Sequence, residues 1–277
     1  MNTMQATLPE IQPDNYRFLQ EHVYSQSGIV LGSDKHYLFE SRLAPIVRQH
    51  GLSTINDLCA LIRATRADVA RQVVEAMTTN ETYFFRDPSH YDAIRNVLIP
   101  RLKDERADTR KMRFWSAASS TGQEAYSLAM LLLEESLQSW NLQIFGTDFS
   151  SPAVARAQSG KYQQIEVNRG LPASLLIRHL RREGVDWQLS DTIRRMVSFE
   201  TIDLRQSMRA LGPFDLVFCR NVMIYFDSET KNRILKEIQG TLFHGGWLLL
   251  GGAETAFGID DLFEKQTIGS AVVYVAR

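Results

Sequence analysis

Residues 113–133, RFWSAASSTGQEAYSLAMLLL, constrain the fold more than any other stretch of the chain. Residues 113–117 have the composition of a short strand, residues 118–123 are all small or polar, and residues 124–133 are helical in character. A strand that drops through a tight loop into a helix is a cradle for nucleotide-type cofactors. Small residues let the backbone approach a ligand, and Gly122 tolerates a φ that a residue with Cβ resists. A second strand, expected over residues 143–147, ends in Asp148, where a carboxylate can take both hydroxyls of a ribose. The pattern implies an adenosine-containing cofactor. The loop by itself leaves open an ordinary turn with a capping glutamate.

Which cofactor follows from what is missing. A dinucleotide pyrophosphate needs helix N-terminal amides and three glycines, whereas SSTGQE supplies one glycine and then places Glu124 at the helix start. A carboxylate there repels phosphate and suits a cofactor that carries an ammonium group and no phosphate. That points to S-adenosylmethionine.

The chain has 277 residues, 44% of them hydrophobic, enough for one large domain or two modest ones with a real core. A formal charge of -1, from 31 basic and 32 acidic residues, gives no electrostatic footprint for nucleic acid. The longest wholly apolar run, residues 128–133, is far short of a membrane span, and the N-terminus lacks a basic region followed by an apolar one. A cytoplasmic protein without direct membrane insertion is therefore expected. Cys59 and Cys219 sit in apolar segments without metal-ligand spacing, as reduced thiols do, and no metal site is visible.

Residues from about 14 to 79 read as helices. Ile55, Leu58, Cys59 and Ile62 recur at helical spacing after a cap expected at Ser53, and Val69, Val73 and Met77 do so after Thr65. Residues 34–49 form a further helix, with Gly51 as its stop and Pro45 as a kink or early end. From about Met112 strands alternate with helices. Residues 214–219 and 247–252 are short apolar runs separated by the helical pattern of Ile234, Leu235, Ile238 and Leu242, as buried parallel strands and their crossovers would be. Residues 270–276, rich in valine, fit an edge or hairpin strand. Residues 160–204 break the alternation, with strands expected at 187–189 and 196–202, so an insertion is expected there. The charged stretch RLKDERADTRKMR between the two halves reads as a solvated connection.

Three further segments complete a family pattern: TTNETYFFRD at residues 78–87, FGTDFS at 145–150, and RNVMIYFD at 220–227 directly after FDLVFC. With WSAASSTGQEAYSLAM, in this order, they closely resemble the chemotaxis receptor glutamate O-methyltransferases, the CheR family. The resemblance runs from about Asp14 to the C-terminus. It implies an α/β fold: a Rossmann-like methyltransferase domain (residues 86–277) with an all-helical N-terminal domain (1–85) and a small inserted antiparallel β-subdomain (160–203). It also implies methyl transfer from S-adenosylmethionine to glutamate side chains on the cytoplasmic helices of transmembrane chemoreceptors, leaving glutamyl methyl esters and S-adenosylhomocysteine. Two alternatives stay open: the same chemistry in another signalling array, or a catalytically silent S-adenosylmethionine sensor.

By the same resemblance, Asn80, Thr82 and Arg86 line the cofactor and active site, Glu124 meets the methionine ammonium, and Asp148 holds the ribose. Asp203 with Leu204, and Asn221 with Val222, resemble the positions that flank the adenine and the methyl donor, while Arg86 and Tyr225 face the acceptor as the catalytic pair. Many members carry a second Glu where Gln123 stands, Pro where Ala125 stands, and a Gly-Cys pair in place of the alanines and serines here. Some members capture a receptor C-terminal tail as an added strand on the inserted subdomain, with a longer glycine-containing loop. Residues 179–196 have a single glycine, Gly184, so no dependence on such a tail peptide is expected. Read without the family, Arg86 beside Asp87 is a local ion pair, Tyr225 and Phe226 are core aromatics, and Asp148 caps the following helix.

Overall fold

Apolar residues at helical spacing build the first of two units into which the chain divides, residues Met1–Thr79 together with Tyr225–Asp227. The computed structural model describes residues 10–64, 66–137, 139–254 and 260–277. Helices α1 (Pro13–Ser27), α2 (His36–Gln49), α3 (Ile55–Arg63) and α4 (Ala67–Met77) enclose a core of Leu19, Val23, Phe39, Leu43, Leu58, Val69 and Val73. Each such side chain contributes about 1.5–3 kcal/mol when fully buried. The cap of α3 is Thr54 rather than Ser53: its hydroxyl accepts from the Asp57 amide and the Asp57 carboxylate accepts from the Thr54 amide, satisfying two helix-end donors at once. Thr65 lies outside the described residues. Helix α2 runs on through Pro45, because Leu43, Ile46 and Val47 on either side are buried and hold the backbone helical across it.

The second unit, Asn80–Ile224 with Ser228–Arg277, is α/β. Helix α5 (Pro88–Ala93) passes through a π-helical turn into α6 (Ile99–Glu105), and then the sheet begins. Strands β1 (Lys111–Ala117) and β2 (Asn141–Asp148) pair in parallel, joined by α7 (Gln123–Glu134). After α8 (Ser151–Ser159), a small antiparallel sheet forms in the order β3-β5-β4, from β3 (Lys161–Gln163), β4 (Leu180–Glu183) and β5 (Asp186–Leu189). Short helices α9 (Gln164–Val167) and α10 (Ala173–His179) lie between β3 and β4, and α11 (Asp191–Arg194) follows β5. Strand β6 (Val197–Thr201) falls in the stretch expected to interrupt the α/β pattern, yet it pairs in parallel with β2 and so belongs to the large sheet.

The remaining strands are β7 (Phe214–Cys219), β8 (Leu242–Leu250), β9 (Phe263–Ile268) and β10 (Ala271–Ala276), with α12 (Ser228–Gln239) crossing from β7 to β8. Leu242 opens β8 instead of closing the helix. The large sheet has the order β6-β2-β1-β7-β8-β10-β9, parallel through β8 and then antiparallel, so β10 is half of a hairpin and β9 is the edge. Every residue of β7 is buried, as expected of a strand covered on both faces. Strand order reverses between β1 and β7, which pair with Ala117 opposite Cys219. Ligands of doubly wound sheets bind at the carboxyl ends of strands beside such a reversal. Among the described residues no helix is long and apolar enough to cross a membrane.

Candidate functional site

The two strands that flank the reversal each end in a chain segment that few sequences tolerate. After β1, Ala118, Ser120 and Gly122 all have positive φ (59°, 51° and 93°), and after β7 so does Asn221 (58°). Phe85 and Asp87, in the segment leading to α5, do as well. Non-glycine residues adopt this region at a cost, and such residues cluster where a ligand or switch requires them. At Gly122 an added Cβ would stand 2.9 Å from Ala157 Cβ and 3.0 Å from the Phe199 ring, so glycine is required twice over, by φ and by space.

Asp148 ties this loop to β2. Its Oδ2 accepts from the Ser120 amide (2.8 Å) and its Oδ1 from the Ser150 amide (2.9 Å), while the Ser120 hydroxyl donates to the Asn80 carbonyl (2.8 Å). The helix cap at Ser150 is supplied by its own hydroxyl, which accepts from the Ala153 amide. Burial pushes the Asp148 carboxyl above the usual range, against the pull of the amides. Ile202, just past β6, donates to the Asp148 carbonyl (2.9 Å), and Asp203 and buried Leu204 follow it in the chain. The Asp203 carboxylate is held by Arg205, at 2.7 Å from Nη2 and 3.0 Å from Nε.

Glu124, in the first turn of α7, is buried. Its Oε1 accepts from the Ser116 hydroxyl (2.7 Å) and its Oε2 from Arg220 Nη1 (2.8 Å). Arg220 Nη2 also donates to Asp87 Oδ2 and to the Arg86 carbonyl, both at 2.7 Å. Both carboxylates face one guanidinium, yet their acidities diverge. Burial raises the enclosed Glu124 despite Arg220, whereas Asp87, with a side chain 34% exposed, is buried less and is held below its ordinary value by Arg220. Thus Asp87 pairs with Arg220 rather than with its neighbour Arg86. The Arg86 side chain donates to the Glu81 carbonyl (3.3 Å) and lies 5.5 Å from the Tyr83 ring centre.

Hydrogen bonds thus link the Asn80 carbonyl to Asp148 through Ser120, the Asp148 carbonyl to Ile202, which directly precedes Asp203 and Leu204, and the Arg86 carbonyl to Glu124 through Arg220, while the Arg86 side chain itself stays with Glu81 and Tyr83. Asn221 and Val222 follow Arg220 directly, both half-buried, and Thr82 is half-buried in the segment between Asn80 and Arg86. Tyr225 belongs to the helical unit, where its ring packs on the core and its carbonyl accepts from the Val30 amide (2.8 Å). Sequence reasoning gave no site role to Arg220, Asp87 or Ser120, and read Asp87 as a partner of Arg86. One signal was present: an arginine directly after the mostly apolar residues 214–219, in which only Asp215 is charged, has to find buried partners.

One observation suits a cofactor bearing an ammonium. Glu124 and Asp87 set two carboxylates against the single guanidinium of Arg220, a surplus of acidic groups for an incoming cation to meet.

Comparison with known proteins gives the family. Residues 14–78 match the all-alpha domain of CheR methyltransferases, and residues 80–272 match the SAM-binding domain of the same family. The chain is 38% identical over 258 residues to chemotaxis protein methyltransferase 1 of Pseudomonas aeruginosa, covering 90% of this chain and 93% of that one. It is 37% identical over 274 residues to chemotaxis protein methyltransferase Cher2 of Pseudomonas putida, covering 95% and 98%, and 36% identical over 270 residues to chemotaxis protein methyltransferase 1 of Vibrio cholerae, covering 95% and 97%. With both domains matched in order and over nearly their whole length, this chain belongs to the CheR family of chemotaxis methyltransferases.

Proposed function

We propose that this protein transfers a methyl group from S-adenosylmethionine to glutamate side chains of chemoreceptors, forming glutamyl methyl esters. The observation that carries the reading is the buried Glu124, Asp87 and Arg220 group at the strand-order reversal of a chain that matches both CheR domains. S-adenosylmethionine supplies an activated methyl on a sulfonium with a neutral leaving group. The protein's task is then to bind, orient and exclude water. In this reading Glu124 takes the ammonium, Asp148 the ribose hydroxyls, and Asn80, Thr82, Arg86, Asp203, Leu204, Asn221 and Val222 complete the cofactor's surroundings.

The acceptor needs no base. A glutamate of pKa about 4.3 is already ionised near neutrality, and correct juxtaposition alone is worth roughly 7–11 kcal/mol. Arg86 presents a planar fork suited to a carboxylate and Tyr225 a hydroxyl to steer one oxygen, so we assign them to the acceptor. Arg86 serves positioning more than charge, because binding the ground-state carboxylate too tightly would slow the transfer.

The cytoplasmic helices of transmembrane receptors are the proposed partner, docked by the helical unit, with the enzyme acting in the cytoplasm. Recognition without a receptor tail is supported by the small sheet: Glu183 and Asp186 pair across a hairpin whose only intervening residues are Gly184 and Val185, leaving no longer loop there. The test is incubation with methyl-labelled S-adenosylmethionine and receptor-bearing membranes, using receptors with and without their terminal residues. Base-labile volatile label from both receptors is expected. Bound cofactor without transfer would overturn the activity, and transfer only to the tailed receptor would overturn the tail-free recognition.

A further inference from the structure

Asn221 holds a left-handed backbone, which asparagine tolerates better than most residues with a Cβ, and a contact from outside its own segment gives it a further reason to stay there. The reason comes from the end of the neighbouring strand. Glu254 Oε2 accepts from the Asn221 amide at 2.6 Å and from the Gly251 amide at 2.8 Å, while its Oε1 accepts from the Ile224 amide at 3.3 Å. One carboxylate thus gathers amides from the turn after β7 and the turn after β8, strands that run side by side with Cys219 opposite Leu250. An ionised acceptor makes each of these bonds stronger than a neutral one would. Glu254 is itself folded back by its amide, which donates to the Gly251 carbonyl (2.8 Å).

Gly251 completes the arrangement. A Cβ there would stand 2.6 Å from Asn221 Nδ2 and 2.8 Å from Glu254 Oε2, so a larger residue would push both side-chain ends out of these positions. The residue before Asn221 is Arg220, whose guanidinium joins Glu124 and Asp87. Fixing the turn at Asn221 therefore fixes the direction in which Arg220 leaves β7.

We propose that Glu254 is a positioning residue for the methyl-transfer site: its carboxylate holds the strained Asn221 turn, and through it Asn221 and Arg220, in the geometry that binds the cofactor. The proposal rests on the functional reading above. It is tested on the full chain with Glu254→Ala, Glu254→Gln and Gly251→Ala, by amide hydrogen exchange without cofactor, by calorimetric titration with S-adenosylhomocysteine, and by thermal melting. In folded Glu254→Ala the amides of Asn221 and Gly251 exchange faster, and affinity falls at least about tenfold, equivalent to about 1.4 kcal/mol. Glu254→Gln, which keeps one acceptor oxygen, recovers part of that affinity. Gly251→Ala reproduces the loss with Glu254 intact. Should Glu254→Ala fail to fold, Glu254→Gln decides. Wild-type affinity in the folded Glu254 variants, or unchanged exchange at Asn221 and Gly251, overturns the proposal. If the wild-type chain itself fails to bind S-adenosylhomocysteine, the functional reading falls, and the exchange measurement still judges whether Glu254 holds the turn.

Discussion

Replacing Arg220 by methionine should cost more stability than any change at the surface of this chain. The Arg220 side chain is 1% exposed and makes charge-assisted bonds to Glu124 at 2.8 Å and Asp87 at 2.7 Å. At about 1.5–3 kcal/mol for each hydrogen bond to a charged group, the two together set a range of roughly 3–6 kcal/mol. Asp87 is partly exposed and water compensates its share, which moves the expectation to about 3–5 kcal/mol, the usual cost of stripping one partner from a buried pair. Urea denaturation near pH 7.5 measures it. The loss should depend on pH with a definite sign. Burial already raises Glu124 and Arg220 opposes it, so without Arg220 its folded pKa rises further. A carboxyl raised in the folded state contributes stability below its unfolded pKa and loses it as pH rises through the folded value. The variant should therefore regain stability as pH falls towards 5, and Arg220→Met combined with Glu124→Gln should be less unstable than the two single changes added together, by at least about 1 kcal/mol. A loss below about 1 kcal/mol, strictly additive and flat with pH, would refute the picture of a buried charged group.

Three further expectations concern other parts of the molecule. Asp148→Ala should weaken S-adenosylhomocysteine binding by about 1.5–3 kcal/mol in calorimetry while the far-ultraviolet spectrum is kept; unchanged affinity would remove Asp148 from the site. Tyr225→Phe should keep cofactor affinity and lower turnover, and the reverse pattern in steady-state kinetics would place the residue on the wrong substrate. His90 is buried and its pKa is lowered from 6.5 to about 4, by burial first and by Arg220 second. Its neutral form is the stable one, so its contribution is complete above about pH 6.5 and is lost as pH falls towards 4, by on the order of 3 kcal/mol. His90→Gln should flatten that part of the stability profile, and an equally steep profile in the variant would show that another group titrates there.

Periodicity and turn chemistry made the elements legible. The helical half, the cradle between β1 and α7, Asp148 at the end of β2 and the apolar runs of β7 and β8 were all readable in order, because buried strands and amphipathic helices carry their environment in their composition. Local signals misled where packing outweighs them. Pro45 sits inside a helix held on both sides by buried residues, and Leu242 continues a helical spacing into a strand. Pairing was not legible either. Residues 197–201 look like part of an insertion until β2 claims them, since a parallel partner some fifty residues away leaves no mark on a strand's own sequence.

The site divides in the same way. One-dimensional pattern sufficed for the family, through four motifs in a fixed order, and pointed to the type of cofactor, through a glycine-poor loop followed by Glu124. Tertiary structure decided what Glu124 meets. Arg220 lies 96 residues away and Glu254 lies 33 residues from the turn it holds, and neither separation carries any period. Buried charge must find its complement wherever the fold places it, so the partners of an ionised group are settled only once the strands that carry them are side by side.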